Sequence, residues 1–150
     1  VTPREPTLKL PTIADFRVGQ RAELRKTFTE EDVRHFIAIT GDENPLHVDD
    51  SFAARTFFGK RITHGMLTAS LFSTMVGMFI PGTGAIYRAQ TLEFHRPVFV
   101  GDTVVAVFEI VAVHEVEGIL EIDSRILSEA GDLVVSGVCT AGLIRGFVDE

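Results

Sequence analysis

Tryptophan is absent from this chain of 150 residues, which has one tyrosine and one cysteine. The lone thiol, Cys139, excludes an internal disulfide framework and fits a reducing compartment, so a cytoplasmic location is expected. Cys139 lies in an apolar run near the C-terminus, the setting of a buried structural thiol rather than a nucleophile. Twelve phenylalanines against that single tyrosine imply a core filled with rings that need no hydrogen-bond partner. Basic residues are also scarce. Fourteen Lys and Arg against 21 Asp and Glu give a formal charge of −7, which argues against a nucleic-acid backbone as ligand. Long apolar runs are missing too; the nearest, 67–80, is short and broken by Ser, Thr and Gly, so neither a membrane span nor a secretory leader is expected. There is no H-E-x-x-H, no Cys/His zinc spacing, no phosphate-binding glycine loop and no G-x-S-x-G. No metal, no cofactor and no serine nucleophile are therefore expected. Repeats and linkers are absent, and the length suits one domain spanning 1–150.

Periodicity supplies an α+β plan. Residues 1–16 carry three prolines and no clear period, and read as an arm lying over the surface. Residues 18–28 alternate weakly, as an edge strand does. Thr29 and Asp32 form a capping pattern before a helix whose inner face carries Val33, Phe36 and Ile37. Asp49 or Asp50 then caps a brief helix over 51–55. Residues 66–79 are apolar on nearly every face, which predicts one long helix buried almost all round. From residue 85 the period switches to two. Segments 85–94, 103–116, 119–128 and 133–144 are strands rich in Val, Ile and Phe. Turns at Glu117-Gly118 and Ala130-Gly131-Asp132 predict an antiparallel meander with a helix against one face of the sheet.

The stretch 41–66, GDENPLHVDDSFAARTFFGKRITHGM, holds the chemistry. Pro45 removes a helix donor and biases Asn44 toward extended geometry, so Asp42, Asn44 and His47 are expected on an irregular loop. Such a loop can turn a carboxylate and an imidazole toward one water, an acid/base couple near neutral pH. Taken alone, Asp42 before Asn-Pro is a turn former and His47 a packed residue. Gly65 opens the apolar helix, where free N–H groups and a partial positive charge suit a developing oxyanion. Among the other histidines, His35 is expected in solvent, while His95 and His114 lie in strands without a carboxylate at metal-ligand spacing. Ser70 and Ser73, on the buried helix, are expected to bond back to carbonyls.

D-x-N-P-x-H at 42–47, then A-A-x-T-x-F-G at 53–59, H-G-M at 64–66 and the segment Leu92-Glu93-Phe94-His95-Arg96-Pro97-Val98 with Gly101-Asp102 resemble the MaoC-like dehydratases. That family includes the (R)-specific enoyl-CoA hydratases, and the likeness runs over about 28–143. The resemblance implies a hot-dog fold, an antiparallel sheet wrapped around a long central helix, and a homodimer. It implies hydration of trans-2-enoyl thioesters to (R)-3-hydroxyacyl thioesters and the reverse, with Asp42 and His47 as acid/base pair and Gly65 N–H as oxyanion donor. Asn44 is assigned to holding the loop closed beside the substrate and Met66 to the substrate site; His64 borders the donor, in a substrate contact or in a packing or turn role. Ser73 is placed by the acyl pocket. Phosphates of an acyl-CoA need cations, and Lys60, Arg61, Arg88 and Arg96 are the candidates. An acyl-carrier-protein thioester, a branched hydroxyacyl-CoA, or a non-catalytic acyl-CoA-binding role are the alternatives.

Overall fold

The computed structural model describes residues 9–145. Its frame is one antiparallel sheet of β1 (Arg21–Thr27), β2 (Ala85–Gln90), β3 (Glu93–Phe94), β4 (Thr103–His114), β5 (Ile119–Ser128) and β6 (Leu133–Leu143). The spatial order is β1-β4-β5-β6-β2, with β3 also paired to β6. Strict alternation builds the inner face. Along β5, Leu120, Ile122, Ser124 and Ile126 are buried, while Glu121, Asp123 and Arg125 point the other way. The hairpins turn at Gly118 and Gly131, whose φ of 66° and 89° only glycine adopts cheaply. Residues 1–8 of the expected N-terminal arm lie outside the described residues. Ile13, which opens a 3₁₀ turn over Ile13–Asp15, and Phe16, which follows it, pack against the core.

Two features of the strand plan differ from expectation. The four strands do not form one consecutive meander: β2 lies beside β6, not β4. The connection between them leaves the sheet at Pro97, where Val98 O instead accepts from Thr63 N–H (2.7 Å). The segment 85–94 is also two strands rather than one. A bulge falls at Tyr87/Ala89, and Thr91 Oγ1 accepts from Val138 N–H (2.9 Å). The Thr91 carbonyl oxygen sits 1.8 Å from where a Cβ at position 137 would be. Gly137 thus admits the kink that separates β2 from β3.

Helix α1 (Glu30–Thr40) starts at the reciprocal Thr29/Asp32 capping box read in the sequence and stops at Gly41, φ 75°. The expected long helix is broken into α4 (Gly65–Ala69) and α5 (Leu71–Met78). Ser70 makes the break: its Oγ donates to Leu67 O (2.6 Å), and Ser73 N–H reaches back only three residues, to Ser70 O. Nor is this helix buried all round. Leu71, Phe72, Met75 and Val76 enter the core, where Phe72 meets Phe108 of β4 at 5.5 Å between centroids. Ser70, Ser73, Thr74, Gly77 and Met78 are exposed, because the sheet covers only one side of α5. No helix among the described residues is long and apolar enough to cross a membrane.

Candidate active site

Gly41 ends α1 in left-handed geometry and throws Asp42 clear of it. The Asp42 carboxylate accepts from Asn44 N–H (3.2 Å), so its turn-forming role is real. Asn44 Oδ1 in turn accepts from Leu46 N–H (3.0 Å). Here the structure corrects the loop expectation: Pro45 begins a one-turn helix, α2 (Pro45–Val48), with Asn44 as its N-cap. Proline is suited to that first position, because the hydrogen it lacks has no helical partner there. The capped turn carries His47. Its Nδ1 is 2.8 Å from Ile62 O; a carbonyl accepts, so Nδ1 holds the proton and Nε2 keeps its lone pair.

His64 is 2 % exposed and sits in the extended residue just before α4. Its Nε2 donates to the main-chain oxygen of Asp42 (2.9 Å). Its ring lies 3.8 Å from that of His47, tilted by 30°, with Phe36 beyond it at 4.9 Å. One titratable atom from each of Asp42, His47 and His64 falls within 4.8 Å of the others. A cation could be held only by this trio among the described residues, yet two of its four ring nitrogens are committed as donors to carbonyls. That donor set suits proton transfer better than ligation.

Asp42, His47, His64, Gly65, Met66 and Ser73 all line one largely apolar cavity of about 810 Å³. Gly65 is the first residue of α4, so its N–H has no partner within that helix. The ring of Phe94 closes over it: Cε1 stands 3.0 Å from where a Cβ at position 65 would lie. Behind Gly65 and Phe94 is a second cavity, about 330 Å³, lined also by Phe57, Phe58 and Arg96.

Several assignments move. Asn44 does not line the cavity and acts as a cap, which keeps the loop-holding role and removes substrate contact. Arg61 is committed elsewhere: it pairs with Glu30 (2.8 Å) and Asp50 (2.7 Å) and donates to His47 O (3.2 Å). The Arg61 guanidinium holds the Glu30 carboxyl below its ordinary range, and the two carboxylates raise the affinity of Arg61 for its proton. Lys60 lies over the Phe99 ring, 4.3 Å from its centroid. Arg88 borders a separate cavity beside Leu10 and Leu143. Neither lines the two cavities at Gly65. Both serines line the cavity; Ser70 also bonds back to a carbonyl as expected. His114 does meet a carboxylate, Glu121 on the neighbouring strand at 3.0 Å.

Sequence reasoning passed over Phe36, Thr40, Tyr87, Gln90 and Leu92, which also line the cavity. Phe36 reads as an ordinary core position. Tyr87 and Gln90 could be paired only by knowing the bulge between them. Tyr87 Oη donates to Gln90 Oε1 (2.5 Å), and burial pushes its phenol upward. Burial also pushes the neighbouring Cys139 thiol up to about 11.

The MaoC like domain family matches residues 15–131, which include every residue of this constellation. The chain belongs to the MaoC-like family. A MaoC-like relative, the (R)-specific enoyl-CoA hydratase of Aeromonas caviae, is 48 % identical over 120 residues, 80 % of this chain and 90 % of the relative. A mitochondrial 3-hydroxyacyl-[acyl-carrier-protein] dehydratase of Solanum lycopersicum is 34 % identical, covering 85 % of this chain and 77 % of that one. Among solved structures, the unliganded R-hydratase of Pseudomonas aeruginosa superposes with a TM-score of 0.84. Identity there is 35 %, over 93 % of this MaoC-like chain and 92 % of that one. The sheet and the helix packed on it therefore form a hot-dog fold.

Proposed function

We propose that the protein interconverts trans-2-enoyl-CoA and (R)-3-hydroxyacyl-CoA thioesters as a hydro-lyase. The observation that carries this is one apolar cavity presenting the Asp42 carboxylate, the His47 imidazole and the first N–H of α4 together. The thioester oxygen accepts from Gly65 N–H, and charge gathers there as C3 is attacked. Water held between Asp42 and His47 forms the O–C3 bond and gives one proton to the pair. The C2=C3 electron pair moves to C2, and the pair returns one proton there. Dehydration runs the same steps backward. The acyl chain lies along the exposed side of α4 and α5, past Met66, Ala69 and Ser73. Flexible methionine there accommodates chains of different length.

The same inference covers the carrier. Among the described residues Arg96 is the one Lys or Arg lining either cavity at Gly65, so of the four candidates Lys60, Arg61, Arg88 and Arg96 it alone keeps the phosphate role. The chain acts as one domain in the cytoplasm and as a homodimer. The exposed side of α5, with Met78 75 % accessible, and the open edge of β2 both call for a cover, and a second copy pairing through β2 supplies it.

The test is crotonyl-CoA and longer enoyl-CoAs, followed by loss of enoyl absorbance with chiral analysis of product. Parent protein should make the (R)-alcohol, and Asp42→Asn and His47→Ala should each lose about 10²-fold or more. Turnover near the parent's in either folded variant removes that residue from the mechanism. The second reading, an acyl-carrier-protein thioester, is favoured because no Lys or Arg among the described residues lines the cavity holding Asp42 and His47. Capture of acyl carrier protein with slow CoA-ester turnover would select it. Light scattering at micromolar concentration should find a dimer; a fully active monomer sinks that assignment.

A further inference from the structure

His64 carries more than the start of a helix. As the N-cap residue of α4 it makes no side-chain cap bond; its imidazole turns the other way, into the protein, to the Asp42 carbonyl. That bond is 2.9 Å long and spans 22 positions of sequence. It ties the loop bearing the carboxylate to the helix bearing the oxyanion donor. One face of the same ring lies on His47, whose outward-facing lone pair depends on the ring being held at Ile62 O. The Phe36 ring of α1 also packs on the His64 ring, 4.9 Å between centroids and tilted by 51°. A single buried ring therefore touches both members of the acid/base pair and precedes the donor by one residue. It lines the cavity while remaining only 2 % exposed.

The polar accounting is unusual. With Nε2 donating, Nδ1 holds a lone pair that is buried and meets no hydrogen-bond partner. A buried acceptor without a partner costs stability, so retaining one marks a residue held for its other contacts. A leucine of similar size would remove that cost and still fill the space. What it could not do is donate to the Asp42 carbonyl.

We propose that His64 is a positioning residue: it fixes the separation of Asp42 and His47 through its Nε2–H bond and its stacked ring, and it does not itself exchange protons with substrate. This rests on the hydratase reading above, and it replaces the substrate contact expected for His64. The two stacked histidines are then opposite tautomers, His64 protonated on Nε2 and His47 on Nδ1. A displacement of about 1 Å in groups that must share one water costs on the order of 10²-fold in rate.

Two readouts test it. Imidazole ¹⁵N–¹H spectra of the parent protein should show the opposed tautomers at neutral pH; a proton on Nδ1 of His64 overturns the proposal whether or not the enzyme turns over. In crotonyl-CoA kinetics, His64→Leu should lower kcat by about 10²-fold with KM changed less than about threefold. His64→Gln, whose amide nitrogen reaches to about the place of Nε2, should recover to within about tenfold of the parent. If the leucine variant does not fold, His64→Asn replaces it, since its shorter amide cannot reach the Asp42 carbonyl. Placed on His47→Ala, the same substitution should cost less than about threefold more, because its effect passes through the pair. A change in KM alone, no recovery with glutamine, or full multiplicative loss in the double variant each overturns the proposal. A parent protein without hydratase activity fails the hydratase reading instead, and the tautomer spectra still decide the geometry.

Discussion

Arg61 donates to the main-chain oxygen of His47 at 3.2 Å while Glu30 of α1 and Asp50 of α3 (Asp50–Ala53) hold the same guanidinium. The next residue, Ile62, accepts from the His47 ring. Two consecutive residues thus fix the backbone and the imidazole of His47, the side chain proposed for the acid/base pair. Arg61→Lys keeps the charge but loses the planar fork that serves three acceptors. It should lower kcat roughly tenfold and leave KM for crotonyl-CoA within about threefold of the parent. A large rise in KM with kcat intact would restore Arg61 to phosphate binding.

Acid should loosen this clamp. Glu30 has a folded pKa below its ordinary 4.5, chiefly from the hydrogen bond to Arg61. Its stabilising contribution is present above that ordinary value and lost as pH falls through the lower folded value. Glu30→Gln should therefore flatten the fall of Tm between about pH 5 and pH 3. Asp32, also depressed by its capping bonds, will keep part of the slope. A Tm profile unchanged by the substitution removes the Arg61–Glu30 pair from the acid response.

Gly65 can be examined with a matched pair of variants. Gly65→Ala keeps the N–H and adds a Cβ at 3.0 Å from Phe94 Cε1; that half-exposed ring can yield. Gly65→Pro adds similar bulk and deletes the hydrogen. His64 already has ψ of 136°, the extended geometry proline requires before it. The proline variant should be slower than the alanine variant by about 10²–10³ in kcat, the usual cost of one oxyanion donor. Equal rates in two folded variants would mean that another group polarises the carbonyl.

Cys139 is fully buried, and its thiol is pushed up to about 11. A thiol reagent at pH 8 should find it unreactive in the native protein and should titrate one thiol per chain after unfolding. Rapid modification of native protein with loss of turnover would place Cys139 within reach of the cavity.

Much of this was legible because local chemistry and tertiary role agree. Thr29 and Asp32 specify a cap that forms as written, and β5 has the boundaries its alternation and flanking glycines imply. The motif 42–47 marked a carboxylate and an imidazole that do come to line one cavity, and His-Gly-Met marked the start of α4. The failures share a cause, which is that sequence period does not report what lies opposite. Residues 66–79 look buried because they are apolar, yet one side of α5 faces away from the sheet. The break at Ser70 depends on a hydroxyl reaching Leu67 O rather than solvent. Arg61, Lys60 and Arg88 look alike as cations, and only their neighbours distinguish a clamp, a ring contact and an edge residue. Arg96 reaches the second cavity through a connection that leaves the sheet, and no local pattern forecast where that connection would go.

The placing of Phe94 against Gly65 bears on how this site can change over generations. The donor proposed for the thioester oxygen, Gly65 N–H, is a main-chain hydrogen, so apart from proline no replacement of a side chain can delete it. What substitution can do is crowd it, and the aromatic ring already occupies the room that any added carbon would need. An alanine at 65 needs only a small shift of the exposed Phe94 ring, but larger residues there call for a smaller one at 94. A descendant that lost catalysis by gradual change would be expected to lose Asp42 or His47 first and to retain an intact, idle donor at the head of α4.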